Sequence, residues 1–549
     1  MHAQSFWAYT VVGFLLFPWV LATVNFDTCL KEIQTSGKWT VGGTDNRGNP
    51  VSNISQATAI TFDLCLEACG AGPEPFVWNI FSQQFSAWLL PYLALVSQLP
   101  FGAVDRLDNL LSMVLTVGSP TLAAYSLALT VLNGHWIAQR FSHLDYPNVR
   151  NAARVLSSLQ QSSLHVVTDG SLLASLIVLP ENDEWWSELA LWLNFVHFLR
   201  CSIIWVIIAY IFTVVDSFTG VVTYSTLNAN GQSVGSVFLW LLPVVVGWLQ
   251  ISPKCDYHRV HQAMQRANAI AYGIGDIHHD EQCTAPIYNY ARFLPWSLAV
   301  EDVYYAFREA SERSDSYQPV DSQATWETGD RYVRVRPANR RGSLTQVLAY
   351  VEPLEALYKP RRRRWGPGVV SRFLVASFLA LCLTWGTTGA AILVAFFTPT
   401  KGLACRSGSF LMYGVMSTLV WMMLVTSSVL AHYSTFTISV RGRYLHTKVT
   451  RAAGVLAIIL RRLAKILASI NTIWIVMACL FQFGSFFDRC WCNSSVFYLG
   501  KHAYNVIDVG PEDVAALNAP WIGGVALASG CSIVFMAFVS VLINPALPD

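Results

Sequence analysis

Thiols and imidazoles are the side chains whose types and spacing come nearest to a reactive centre. Cys255, His258 and His261 fall in Cys255-Asp256-Tyr257-His258-Arg259-Val260-His261, and His278, His279 and Cys283 follow in the stretch from His278 to Cys283. Thiolate and imidazole suit zinc, and the spacing of His258 and His261 puts both on one face of a helix. The six are therefore the metal candidates, although they match no standard zinc spacing and read equally as a polar loop. Catalytic patterns are missing: there is no G-x-S-x-G elbow, no H-E-x-x-H and no phosphate loop, and Gly273-Ile274-Gly275 lacks the third glycine of a dinucleotide fingerprint. No enzyme activity and no cofactor is expected.

Modification chemistry is better marked. Asn53-Ile54-Ser55 and Asn493-Ser494-Ser495 are acceptor sequons for N-glycosylation. Cys29, Cys65, Cys69, Cys405, Cys490 and Cys492 lie in the segments expected outside, an even set that can form disulfides, with fifteen possible pairings among six thiols. Lys359-Pro360-Arg361-Arg362-Arg363-Arg364-Trp365 is a basic knot at the mouth of an apolar run. Arg361, Arg362, Arg363 and Arg364 hold that end of a span inside the cell and are candidates for contact with anionic lipid headgroups.

The elements that must position these groups are membrane helices. Hydrophobic residues make up 53% of the chain and charged residues 13%, a balance far from that of a soluble domain. Seven stretches are long and apolar enough to cross about 30 Å of hydrocarbon: Leu110 to Leu132, Phe198 to Phe218, Val234 to Ile251, Val369 to Phe397, Phe410 to Ala431, Ile466 to Phe486 and Trp521 to Ile543. Pro120 and Pro243 are expected to kink the first and third. The fold class is an all-α polytopic membrane protein of about seven transmembrane helices with a small disulfide-containing amino-terminal extracytoplasmic domain.

In chain order, residues 1–22 read as a signal peptide or signal anchor, and 23–84 as the extracytoplasmic cysteine-containing domain. Residues 85–102, interrupted by Pro91 and Pro100, read as a re-entrant or interfacial apolar segment. Residues 110–251 hold helices one to three with a cytoplasmic loop at 133–197, in which Glu181 to Glu188 beside Trp185 and Trp186 is expected to lie at the membrane interface. Residues 252–368 form a large cytoplasmic loop, helical over Cys255 to Ala271 and Leu294 to Glu312 and disordered over Ser314 to Arg341. Residues 369–549 carry the remaining four helices, and the basic stretch Arg441 to Lys465 between them falls inside. The amino terminus is then outside and the carboxyl terminus cytoplasmic, in a membrane of the secretory pathway, with the plasma membrane the natural destination. The first span is rich in hydroxyls, which are read as helix-packing contacts rather than a solute path.

The stretch Phe85 to Gly102, Phe-Ser-Ala-Trp-Leu-Leu-Pro-Tyr-Leu-Ala-Leu-Val-Ser-Gln-Leu-Pro-Phe-Gly, together with Thr116 to Leu127, resembles a group of multi-pass membrane proteins of filamentous fungi that have no assigned function. That resemblance implies a fungal membrane protein and carries no functional residue across. Seven spans with an outer amino terminus are also similar in number to G-protein-coupled receptors, but the short tail after Ile543 and the long loop after the third span argue against them. The reading is a non-enzymatic scaffold or interaction protein, with a solute transporter or channel and a receptor or sensor as alternatives. Its partners are the lipid bilayer and, through the 252–368 loop, anionic lipid or cytoplasmic proteins. A nucleic-acid partner is not expected.

Overall fold

The computed structural model describes residues 23–99, 106–160, 170–193, 207–208, 210–215, 225–251, 262–267, 286–329, 335–352, 365–435, 438–440, 443–445, 447–543 and 545. In chain order, α1 (Phe26–Thr35), β1 (Gly43–Thr44) and β2 (Ala59–Thr61) precede α2 (Trp78–Gln84) and α3 (Leu90–Val96), which a π-helical turn joins. Then come α4 (Arg106–Gly118), α5 (Pro120–Phe141), α6 (Val149–Ser158), α7 (Gly170–Val178), α8 (Asp183–Leu193), α9 (Ser225–Phe238), α10 (Leu241–Ile251), α11 (Asn289–Asp315) and α12 (Leu344–Val351). The remainder is α13 (Val369–Phe397), α14 (Cys405–Ser434), the hairpin β3 (Ile438–Val440) and β4 (Arg443–Leu445), α15 (Lys448–Phe483), β5 (Tyr504–Val506) and α16 (Pro511–Leu542).

Five helical stretches are long and apolar enough to cross a membrane: Ala229–Ile251, α13, α14, α15 and α16. A sixth appears if α4 and α5 count as one bent span. The chain is thus a helical membrane protein, with five or six candidate spans among the described residues where the sequence suggested seven. Leu110 to Leu132 is not one kinked helix. It breaks at Ser119 with a bend of 103°, because Pro120 has no N–H to continue the ladder, and the Ser119 hydroxyl starts α5 afresh by accepting from Leu122 N. Phe198 to Phe218 lies largely outside the described residues. Pro243 acts one turn upstream: its missing donor frees Leu239 O, which accepts from Leu242 N at 3.2 Å, and α9 and α10 part there.

Helix α3 and its π turn press against α9. Trp88 lies where any side chain at Gly231 or Gly235 would sit, 2.1 and 2.6 Å from the ideal Cβ positions, so these two glycines admit the indole. Tyr92 donates to Gly235 O at 2.9 Å. Helix α15 starts at Lys448, well before the expected Ile466, so most of the basic stretch expected as a loop is helix.

At the end where α13 and α15 finish and α14 and α16 begin, the loops join the amino-terminal segment in a cap. Its sheet runs β1-β2-β5, all antiparallel, with Ile60 opposite Asn505. Cys29–Cys69 closes within the segment, Cys65–Cys490 ties it to the loop before α16, and Cys405–Cys492 ties that loop to the start of α14. Phe26, Leu30, Ile33, Ile60 and Leu64 fill the small core around these sulfurs. The 23–84 segment is therefore not closed on itself: one strand and one half-cystine come from more than 400 residues away.

The opposite end is a second helical layer, α6 to α8 with α11 and α12. Two expectations fail here. Trp185 and Trp186 are not turned outward as an interfacial segment would present them; each is 2% exposed, and Trp186 Nε1 donates to Leu176 O at 2.8 Å, because the acidic side chains of α8 take its outer face. The described part of Ser314 to Arg341 is ordered rather than disordered. Asn339 receives Glu327 N and donates to Glu327 O, Val320 N bonds Asn339 O, and Arg340 is buried. Its polar residues bond one another, which composition does not reveal.

Candidate functional site

At the cap, three chain-distant pieces line a half-open cavity of about 830 Å³. The turn Asp45–Asn49 forms one wall. The Asp45 carboxylate accepts from Arg47 N, Asn49 N and Asn49 Nδ2 at 2.8 to 3.0 Å, and these bonds, the Asn49 side chain first, hold its pKa below the ordinary range. Gly48 closes the turn at φ +83, and a Cβ there would stand 2.5 Å from Tyr504 Cε1, so only glycine brings the turn against that ring.

The loop Pro399–Lys401 makes the second wall. Thr400 fixes it to β5, donating to Tyr504 O and accepting from Val506 N, both at 3.1 Å, while Ser495 Oγ donates to Thr400 O at 3.0 Å. Tyr504 and Gly510 bring in the third piece. The floor is the first turns of α16, from Pro511 to Leu517. Asp513 accepts from Gly510 N at 3.2 Å and from Asn46 Nδ2, so one carboxylate both caps a spanning helix and anchors the amino-terminal turn.

Asp45 and Asp513 are thus committed to structure. Arg47, Lys401 and Glu512, which also line the cavity, are exposed and have no ion pair among the described residues. Asn46 Oδ1 is buried at the wall without a hydrogen-bond partner. The cavity offers two exposed cations, of which Arg47 also acts on the Asp45 carboxylate, one exposed carboxylate and one unpaired acceptor. That set can hold a small polar molecule carrying both charges; nothing in it suggests bond-making chemistry.

The metal candidates Cys255, His258, His261, His278, His279 and Cys283 lie outside the described residues, as do Arg361, Arg362, Arg363 and Arg364. Among the described residues no cluster of three or more His, Cys, Asp or Glu could hold a metal ion. The structure brings all six of Cys29, Cys65, Cys69, Cys405, Cys490 and Cys492 into three disulfides. Asn53 is exposed, with its Oδ1 accepting from Ser55 N. Asn493 is half-buried, its Oδ1 accepts from Arg406 Nη1 at 3.0 Å, and Ser494 and Ser495 beside it are fully buried.

A second polar group sits at the break between α4 and α5. Tyr413 donates to Val117 O at 2.8 Å and Asn471 to Gly118 O at 2.8 Å, while Ser119 donates to Ser417 O and Thr121 meets Thr384 and Ser417. The carbonyls released by the break are satisfied from neighbouring helices, as a non-aqueous interior requires. About four turns further along α5, the buried Arg372 donates to Asn133 Oδ1 at 2.6 Å and to Pro367 O at 3.1 Å, with its guanidinium 3.9 Å from the Trp136 ring centre.

Sequence reasoning missed the cavity residues. Asp45-Asn46-Arg47-Gly48-Asn49-Pro50 is legible as a turn, and Pro511 with Asp513 as a helix start, but nothing local announces that the two meet. Comparison with family models, curated proteins and solved structures finds no match.

Proposed function

We propose that this chain is a ligand-binding membrane protein of the receptor or sensor class, whose cap holds a small zwitterionic molecule. The supporting observation is the cavity itself: its floor is the first turn of a spanning helix, so occupancy acts directly on α16 through Asp513. Anionic and cationic groups of the ligand face Arg47 and Lys401 on one hand and Glu512 on the other. This reading takes precedence over a plain scaffold, which has no use for charges of both signs gathered around one concave site.

The cap then faces the oxidising side of a secretory-pathway membrane, and the basic segments near Arg361 and Arg443 face the cytoplasm. Asn53 carries the glycan in this arrangement and Asn493 does not; N53Q should abolish the mobility shift caused by glycosidase, and a shift surviving in N53Q but lost in N493Q would reverse the assignment.

The test of the ligand reading is thermal stabilisation of detergent-solubilised protein by a panel of amino acids, betaines and short peptides. At least one should raise the midpoint, and R47A, K401A and E512Q should each weaken it about tenfold in ligand affinity, as expected for loss of one charge-assisted contact. A panel without effect, or an effect that survives all three substitutions, overturns the proposal. A solute transporter is the second reading, because broken helices mark many transport sites and α4–α5 is broken by 103°; ligand uptake into proteoliposomes distinguishes it from a receptor.

A further inference from the structure

The exposed faces of the candidate spans differ in one respect. Helix α13 presents Leu374 and Phe378, α14 Met412 and Leu419, and α16 Ile533 and Val534, all uncharged, while the cation within α13, Arg372, turns inward. Helix α15 interleaves cations with its aliphatic side chains. Arg451 and Arg462 are eleven positions apart, which at 3.6 residues per turn sets them within about 20° of one another and about 16 Å apart along the axis. Between them on the same face stand Val455, Ile458 and Ile459, 58%, 52% and 47% exposed. The opposite face packs on α14 through small residues, with Ser427 Oγ donating to Ala457 O at 2.7 Å.

Of the other three cations of α15, Lys448 is exposed at its first position, and Arg461 and Lys465 are absorbed by the bundle. Lys465 Nζ lies 5.5 Å from the Tyr288 ring centre, and Arg461 faces Tyr290. Arg451 and Arg462 are exposed and have no ion pair or hydrogen bond among the described residues. Nor does the surrounding sequence supply one, since no Asp or Glu occurs from Ala356 to Phe487. The first turn of α15 holds no acid either, although a helix amino terminus favours negative charge. An arginine left uncompensated at the edge of hydrocarbon is unfavourable. At 36 residues, about 54 Å, α15 outruns a bilayer core of about 30 Å, so its aliphatic stripe continues into the headgroup zone.

We propose that anionic phospholipids bind along the exposed face of α15. The phosphate of one pairs with Arg451 and that of a second with Arg462, and their acyl chains cover Val455, Ile458 and Ile459. Charge complementarity selects this occupant over neutral lipid, and the aliphatic residues between the cations select it over a free anion.

The experiment compares the full chain with R451Q/R462Q, R451K/R462K and V455N/I458N, each purified in neutral detergent with disulfides checked on a non-reducing gel. Bound lipid is quantified by mass spectrometry, and rebinding is measured with vesicles of phosphatidylserine in phosphatidylcholine, with pure phosphatidylcholine vesicles, and with inorganic phosphate as competitor. Anionic lipid should be enriched over the bulk membrane, fall about fivefold or more in R451Q/R462Q, return in R451K/R462K, and fall in V455N/I458N. Equal retention in R451Q/R462Q overturns the proposal. So does displacement by inorganic phosphate alone, which would mark a free-anion site, or dissociation of a dimer in the same variant, which would mark a second copy as the occupant.

Discussion

Glu74 sits in the cap within electrostatic reach of Asp27 and Asp488, and Arg406 pairs with Asp488. Its own N–H donates to Asp488 O at 2.9 Å, which holds it there. Burial, and then the two carboxylates, push its carboxyl up to about 7 against the pull of Arg406. A carboxyl whose folded value lies above its ordinary 4.5 favours the folded cap when protonated. That contribution is complete below the unfolded value and disappears as pH rises through the folded one. The cap is therefore expected to be more stable at pH 5 than at pH 8, by about 1–2 kcal/mol after allowing for solvent screening of a partly exposed group. Protection factors of α1 amides, each exchange rate taken relative to its intrinsic rate at that pH, read this, and E74Q should flatten their pH dependence. Protection in E74Q that varies with pH as in the native chain would assign the effect elsewhere. None of this was legible in the sequence, because Asp27, Glu74 and Asp488 become neighbours only when Cys65 meets Cys490.

Helices end where their backbone groups find other partners, and α7 shows how far away a partner can come from. Its terminal carbonyls at Ile177 and Val178 would be orphaned inside the second helical layer, while that of Leu179 also accepts from Asn182 N. Arg340 donates to all three, and to both oxygens of Asp183 at 2.7 Å, so a single guanidinium closes α7 and fixes the start of α8. Replacing Arg340 with Ala leaves those acceptors buried and should destabilise this layer by about 3 kcal/mol. Lys keeps the charge but not the planar fork, so R340K should fall between. Limited proteolysis within 170–193 measures both, and unchanged cleavage in R340A would show that the layer holds without the contact. Element boundaries were readable in proportion to their isolation from such contacts. Val369 to Phe397 matches α13 from end to end because its ends are marked by Gly368 and the Thr398-Pro399 turn. The start of α15 was missed because Arg461, Arg462 and Lys465 look like the end of a span, whereas two of them turn onto tyrosines of α11 and its preceding turn.

At the scale of the molecule, the described residues form a bundle closed at one end by a cap that belongs to no single stretch of chain. Composition told of membrane helices, and even cysteine number told of disulfides, but the pairing could not be read because six thiols permit fifteen patterns. The structure uses Cys65–Cys490 to join positions 425 residues apart. Closing so long a loop removes freedom from the unfolded chain worth about 6 kcal/mol on the chain-entropy account. It also fastens the wall that carries Asp45 to the floor that carries Asp513. The expected consequence is covalent and can be tested without any ligand. A specific protease site placed after Ser97, between the cap segment and α4, should cut the native chain into two pieces that migrate together without reductant and separate with it. C490S should release the amino-terminal piece in either condition, and should abolish the stabilisation by any cavity ligand, since the turn at Asp45 then loses its covalent tie to the loop leading into α16. Separation of the native pieces without reductant would mean that the cap is held by its short sheet and small core alone, and that the cavity opens whenever β2 parts from β5.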